Sequence, residues 1–187
     1  MRATALLSLL IVCGCSREAS PGADEAAAVY EAFFFADRSD VPTRVLLQDT
    51  EQPVTAGMFS DMEPGAKPDI SRKYSAEVRE AVTDLIARGR TPRRLPAEVE
   101  VMDTQSRISA DSVAVLLEQI RAHQLHRLPD RASIVYLSAV GFSRDRSVAV
   151  VYQGVVCGWL CGAGVARVVR KHPGGWIAAE ELWSVIS

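Results

Sequence analysis

The spacing of the apolar residues changes once along this 187-residue chain, and that change constrains the fold most strongly. In the first two thirds of the chain, apolar side chains recur every three or four positions, which is typical of helices with one buried face. From Ser133 onward they alternate every second position, which is typical of strands. Helices followed by consecutive strands indicate an α+β fold. We therefore predict N-terminal helices packed on one face of a C-terminal antiparallel β meander.

The helical spacing predicts three helices. The first begins directly after Asp24, which can cap it, and its apolar stripe consists of Ala26, Val29, Tyr30, Phe33 and Phe34. The second covers residues 75–88 and ends at Gly89, with Ser75 as its cap. Asp84 can form an ion pair with Arg88 on this helix. The third is capped near Ser109 and has the stripe Val113, Leu116, Leu117 and Ile120.

Strands are predicted both between the helices and after them. Residues 43–48 and 98–103 have the composition of two short strands, and residues 49–69, rich in Pro and Gly, predict a long surface loop. In the meander we expect four strands over residues 133–140, 147–154, 164–171 and 176–186. Trp176 and Trp183 are seven residues apart, so a regular final strand would place them on opposite faces.

The first fifteen residues read as a targeting segment rather than as part of the fold. A short positive start is followed by an apolar run that is too short to span a bilayer. The run ends in Val12-Cys13-Gly14-Cys15, which resembles the bacterial lipoprotein box, and this resemblance implies that Cys15 is lipidated after the preceding residues are removed. We expect residues 1–15 to be the signal peptide, residues 16–24 a tether and residues 25–187 a single domain.

This targeting segment predicts a location in the cell envelope and a membrane as one partner. Multiple acyl chains on Cys15 would anchor the protein firmly in a membrane, facing the periplasm or the exterior of a bacterial cell envelope. Within the domain, residues 25–128 would form the helical part and residues 133–187 the meander. The alternative is ordinary signal cleavage, which would release a free periplasmic or secreted protein.

The net charge of −2 argues against nucleic acid as a partner, because nucleic-acid binding requires a clustered positive face. The basic residues that do cluster are Arg88, Arg90, Arg93 and Arg94. They can hold an anion or acidic lipid head groups, but a run of this kind is more often a solvated helix end. We therefore expect no nucleic-acid partner.

The most specific feature of the mature chain is the segment from Cys157 to Gly164. Two cysteines four residues apart, among three glycines and between two predicted strands, favour a local disulfide at the tip of a hairpin. Such a tip would present Trp159 and Leu160 outward as candidate partner-binding residues. Alternatives are a redox-active pair, which this spacing disfavours, or a metal site that His123 and His126 would complete. We predict no metal and no cofactor.

Catalytic motifs are scarce in the sequence, and we predict no catalytic residue. No Gly-x-Ser-x-Gly elbow, Gly-rich phosphate loop or His-Glu-x-x-His motif is present, and neither Ser138 nor Ser143 has the sequence context of a nucleophile. The predicted long loop carries four carboxylates that can act as acid, base or cation ligand: Asp49, Asp61, Glu63 and Asp69.

The C-terminal residues resemble a known family. Ser138 to Phe142, Ala149 to Tyr152, the Cys157–Gly164 segment and Trp176 are similar to a family of exported bacterial proteins of uncharacterised function with a C-terminal Cys-Gly-x-x-Cys-Gly β module. The resemblance implies that the protein is located in the cell envelope and that its cysteines are paired. It implies no activity, because the family has no settled one.

Two functions follow as hypotheses. The first is a lipid-anchored, non-catalytic module that binds a protein, glycan or lipid through the cysteine hairpin and the neighbouring long loop. The second is an envelope enzyme that uses the loop carboxylates or a redox-active pair of Cys157 and Cys161.

Overall fold

The computed structural model describes residues 21–35, 44–54, 74–99, 105–123 and 126–186. The helices in these ranges are α1 (Pro21–Phe35), α2 (Ala76–Gly89) and α3 (Ala110–Arg121). The strands are β1 (Arg44–Gln48), β2 (Gln105–Ile108), β3 (Ala132–Leu137), β4 (Gly141–Phe142), β5 (Val148–Gly158), β6 (Cys161–His172) and β7 (Gly175–Ile186). The predicted signal peptide, Cys15 and most of the predicted long loop lie outside the described residues.

The strands form one mostly antiparallel sheet in the order β2-β1-β3-β5-β6-β7, and β4 also pairs with β5. Each of β3, β5, β6 and β7 is antiparallel to its neighbours among these four, which confirms the predicted meander. β1 pairs in parallel with both β2 and β3, so the sheet continues beyond the meander. The fold is α+β, as the order of the elements predicted.

The strand predicted over residues 98–103 is tested only at its first two residues, which are not in a strand. Glu98 lies in a turn, Val99 is in no regular element, and residues 100–103 lie outside the described residues. The strand of this region is β2, whose residues Gln105 to Ile108 alternate weakly and carry two polar side chains and one charged side chain. Its pairing with β1 is parallel and distant in sequence, and such pairing leaves no local hairpin signal.

The prediction that helices cover only one face of the sheet is also wrong. Tyr30 and Phe33 of α1 are buried in one cluster with Val151 of β5. Leu85 of α2 is buried in another cluster with Val150, the residue that precedes Val151 on the same strand. Because successive side chains along a strand point to opposite faces, α1 and α2 lie on opposite faces of the sheet.

The third helix lies on the same face as α2. Val113 and Ile120 of α3 are buried with Ile134 of β3, whose sequence neighbour Val135 belongs to the cluster around α1. The tryptophans of β7 follow the same division. Trp176 packs against the cluster around α1 and Trp183 against the cluster around α2, which confirms that they lie on opposite faces.

The predicted caps of the second and third helices are confirmed. Ser75 is the N-cap of α2 and accepts a hydrogen bond from the Val78 amide at 3.5 Å. Ser109 caps α3 in the same way and accepts from the Ser112 amide at 3.2 Å. The predicted pair on α2 also forms, with Arg88 Nε 2.6 Å from Asp84 Oδ2.

Two helix boundaries differ from their predictions. α1 begins at Pro21, so Asp24 lies in its first turn instead of capping it, and residues 21–24 are helical rather than part of a tether. Gly89 is the last residue of α2 rather than its terminator. A Cβ atom at Gly89 would lie 2.9 Å from the Val54 backbone nitrogen, so a glycine is required here by close packing.

The start of α1 is fixed to one end of the sheet by ion pairs. Glu25 accepts hydrogen bonds from Arg146 Nε at 2.6 Å and from Lys171 Nζ at 2.8 Å. Burial by itself raises the pKa of this carboxyl, but the hydrogen bonds from Lys171 and Arg146 outweigh it and hold the pKa below its usual value of 4.5. We call this end of the sheet, at residues 143–147 and 172–175, the charged end.

The Glu25 ion pairs predict a pH dependence of stability. Because the folded-state pKa is depressed, the contribution of Glu25 is fully present above its unfolded pKa and is lost as the pH falls through the folded one. We expect Glu25→Gln to lower the free energy of unfolding by roughly 1 kcal/mol at pH 7. The difference from the wild type should shrink as the pH falls below about 4.5. Urea unfolding measured from pH 3 to pH 7 checks this.

Glu31→Gln is the matched control, because Glu31 is an exposed carboxylate of the same helix. A difference in stability between the wild type and Glu25→Gln that stays the same at every pH would contradict the assignment.

Candidate functional site

The cysteine segment forms the tip of the β5–β6 hairpin. The strands extend further than predicted, to Gly158 and from Cys161, so only Trp159 and Leu160 connect them. Cys157 and Cys161 lie at disulfide distance, with Cα atoms 5.2 Å apart. A register shift between Val156 and Gly158 accommodates this pair within strand pairing. We call this end of the sheet, opposite the charged end, the tip end.

Glycines of the hairpin are covered by tyrosine rings, and the strands run through these glycines instead of ending at residue 154 and resuming at residue 164 as predicted. Gly154 pairs directly with Gly164 in the ladder. A Cβ atom at Gly154 would collide with the ring of Tyr136, its partner on β3, and a Cβ at Gly164 would lie 2.5 Å from the Tyr152 hydroxyl oxygen. Aromatic rings packed over strand glycines stabilise a sheet at these positions.

The tip is also fixed to the chain that follows α3. The Leu128 amide donates to the Cys157 carbonyl and the Trp159 amide donates to the His126 carbonyl, each at 3.3 Å. A Cβ atom at Gly158 would collide with that same carbonyl of His126, so glycine permits the close approach. Both sides of the two-residue loop are therefore held by backbone contacts or by the cysteine pair.

The two candidate partner-binding residues differ in exposure. Leu160 is 75% exposed, whereas Trp159 is 49% exposed. Trp159 is partly covered because its ring contacts the ring of His123 edge to face, with centroids 4.2 Å apart. His123 follows the C-cap of α3 and has a left-handed backbone conformation, with φ of 56°, which turns the chain toward the tip.

The cysteines and His123 lie at the same end of the sheet, where the residues predicted as possible metal ligands form structural contacts. His123 contacts Trp159, and His126 contributes its backbone carbonyl to the tip. Within the ranges that the structure describes, no three side chains of His, Cys, Asp or Glu are grouped closely enough to bind a metal ion.

Two apolar residues that were not predicted as site residues lie near the tip. Val185 is 43% exposed and Ile186 is 88% exposed at the end of β7. They pair with Gly164 and Ala163 of β6, a few residues from the loop, and as consecutive residues of one strand they project from opposite faces of the sheet edge. We call Trp159, Leu160, Val185 and Ile186 the tip patch. The signal in the sequence was the absence of any charged residue from residue 182 to residue 186.

The carboxylates of the predicted loop are only partly described. Asp61, Glu63 and Asp69 lie outside the described residues. Asp49 lies directly after β1, with its Oδ2 3.6 Å from Arg94 Nη2. Glu51, which was not among the predicted candidates, accepts a hydrogen bond from the Arg93 amide at 3.1 Å. These contacts join the segment after β1 to the arginine cluster after α2.

Burial perturbs two groups near this segment. Burial raises the pKa of Glu51, although the Arg93 amide and the charges of Arg93 and Arg88 oppose the rise. Burial, with a smaller contribution from the charge of Glu51, raises the pKa of Tyr30 well above its usual value. The Tyr30 hydroxyl donates to the Ser138 carbonyl oxygen at 2.6 Å, so it acts as a neutral donor that joins α1 to the sheet.

Ser138 and Ser143, which the sequence did not mark as nucleophiles, both take part in backbone structure. The buried Ser138 hydroxyl donates to the Ala139 carbonyl at 2.7 Å and accepts from the Tyr152 amide at 2.9 Å. The Ser143 hydroxyl accepts from the Val148 amide at 3.0 Å and lies in the turn at the charged end. These contacts stabilise the strand ends on either side of β4.

Comparisons with family models, with curated proteins and with solved structures find no match to this chain. Among the helices in the described ranges, none has the length and apolar character needed to cross a membrane. The function is therefore inferred from the residues of the chain itself.

The geometry of the tip predicts that the cysteine pair is oxidised. Protein isolated from intact cells should not react with an alkylating reagent at Cys157 or Cys161 until it has been reduced, and reduction should add the mass of two hydrogen atoms. Because the closed loop is short, replacing both cysteines by alanine should lower the free energy of unfolding by about 2 kcal/mol. Alkylation of either cysteine before reduction would contradict the prediction.

Proposed function

We propose that this protein is a lipoprotein of the bacterial cell envelope, anchored to a membrane through Cys15, and that it acts as a non-catalytic binding module. In this proposal residues 25–187 form one domain, in which the N-terminal helices pack on the C-terminal meander. The partner is a protein, glycan or lipid that contacts the tip of the β5–β6 hairpin.

The observation that carries the binding function is the exposure of Leu160 beside Trp159 on a fixed support. A loop of only two residues, with a cysteine pair below it and backbone hydrogen bonds to the segment after α3, loses little conformational entropy when a partner binds. A tryptophan presented on such a rigid support is typical of the central residues of interfaces.

The proposed location in the cell envelope depends on the N-terminal sequence. The Val12-Cys13-Gly14-Cys15 box supports lipidation, and the resemblance of the C-terminal residues to a family of exported proteins supports the same compartment. An oxidising envelope is also the environment in which a pair such as Cys157 and Cys161 forms a persistent disulfide.

The enzyme hypothesis receives less support from the contacts. Asp49 and Glu51 contact Arg94 and the Arg93 amide, which joins two segments of the fold. The cysteine pair lies within antiparallel strand pairing rather than at the start of a helix, where a thiol pKa is lowered and redox chemistry is favoured.

A photo-crosslinking residue placed at the tip tests this proposal in intact cells. When the crosslinker replaces Leu160, we expect discrete adducts of higher mass. When it replaces Gly174, which is exposed on the β6–β7 turn at the opposite end of the sheet, we expect no such adduct. The same adducts from both positions would contradict binding at the tip.

The anchor is checked on the same strains. Cys15→Ala should transfer the protein from the detergent phase to the aqueous phase, whereas Cys13→Ala should not, because Cys13 belongs to the segment that is removed. Retention of the Cys15→Ala protein in the detergent phase would contradict lipidation at Cys15.

A further inference from the structure

The two ends of the β5, β6 and β7 strands differ in charge. At the charged end and along the middle of the sheet, Arg170 pairs with Glu180 at 2.9 Å and Arg167 with Glu181 at 4.0 Å. Toward the tip end no charged residue occurs from Ser147 to Ala166 or from residue 182 to residue 186. The exposed Arg127 pairs with Gly158 at the rim of the tip, and an exposed apolar patch with a polar rim is typical of an interaction site.

The outer edge of β7 also changes along its length, from a bulged and charged middle to a regular, uncharged end. Among the strands that the structure describes, β7 is the outermost, and its middle carries two register shifts that leave Ala179 and Leu182 without ladder partners, next to Glu180 and Glu181. Bulges and charges on an edge strand oppose pairing with another strand. Residues 183–186 have neither: they pair regularly with residues 163–166 of β6 and end in the exposed tip patch.

The position of α1 indicates which kind of partner can reach this edge. Glu25 places the start of α1 at the charged end, and β5, with 11 residues, separates the two ends by about 33 Å. Between Cys15 and Pro21 the chain has residues 16–20, which extend at most about 18 Å. An anchor at Cys15 therefore holds the charged end near the bilayer and directs the tip patch away from it.

We infer that the tip patch binds an extended, uncharged apolar segment of another protein, which adds a strand to residues 183–186 of β7 and contacts Trp159 and Leu160. This inference rests on the proposed function, whose partner class it narrows from protein, glycan or lipid to protein. Backbone hydrogen bonds to the edge would supply affinity, and the apolar side chains of the patch would supply the preference for an uncharged segment.

The probe is a fluorescent ten-residue peptide of alternating valine and threonine, with a second peptide in which glutamate replaces threonine. The protein is the full chain carrying Cys15→Ala, so that binding is measured without the anchor. Fluorescence anisotropy should show that the uncharged peptide binds and that the glutamate peptide binds more weakly. No binding by the uncharged peptide, or equal binding by both, would overturn the inference.

Two proline variants locate the contact. Ser184→Pro removes a backbone donor that points to the free edge of residues 183–186, whereas Ala178→Pro makes the same change in the regular stretch at the charged end. We expect Ser184→Pro to weaken peptide binding about tenfold, the effect of losing one or two hydrogen bonds, and Ala178→Pro to leave it unchanged. Equal effects would place the contact elsewhere and overturn the inference.

Leu160→Ser keeps the test decisive if a proline variant does not fold, because this side chain is largely exposed and contributes little to the core. It should also weaken peptide binding. Two other occupants of the patch give distinct results with the same protein. Binding to vesicles of phosphatidylethanolamine and phosphatidylglycerol, or a dimer in sedimentation that Leu160→Ser dissociates, would overturn the inference in favour of lipid or of a second copy.

A wrong prediction of the lipid anchor can be distinguished from a wrong inference of strand addition. A lipidation failure appears as a wild-type protein in the aqueous phase and leaves peptide binding by the Cys15→Ala chain unaffected. A failure of the strand-addition inference appears as loss of peptide binding, with detergent partitioning of the wild type unchanged.

Discussion

The pairing of β5 with β6 is the interaction on which the rest of the structure depends. Its ladder runs from Val148 paired with Arg170 to Gly158 paired with Cys161, and thus extends from the charged end to the tip. β3 and β4 pair with the other side of β5, and both helical layers pack against its side chains. One long hairpin thereby supports both cores at one end and presents two exposed residues at the other.

The sequence predicted local features well and long-range ones poorly, for physical reasons. The caps at Ser75 and Ser109 and the meander depend on residues close together in sequence, and they are confirmed. β2 was missed because its parallel pairing leaves no local pattern. Helices on both faces were missed although the run from Val148 to Tyr152 is apolar at every position, which is typical of a strand buried on both sides.

The candidate site was only partly predictable. The cysteine pair and the exposure of Leu160 follow from spacing and composition. The contact between Trp159 and His123, and the proximity of Ile186 to the tip, depend on how α3 ends and on the register of β7. The predicted strands ended at residue 154 and resumed at residue 164, but the glycines at these positions pair within the ladder and make room for tyrosine rings, which spacing alone does not reveal.

In the function proposed for this protein, the start of α1, which connects to the anchor, lies at the end of the sheet opposite the binding tip. Energy transfer tests this arrangement most directly, with a fluorescent amino acid in place of Leu160 or Gly174 of the lipidated protein and an acceptor dye on the head groups of the vesicles. We expect strong transfer from position 174, weak transfer from position 160 and none from either after Cys15→Ala. Equal transfer from the two positions, or stronger transfer from position 160, would contradict the proposed arrangement.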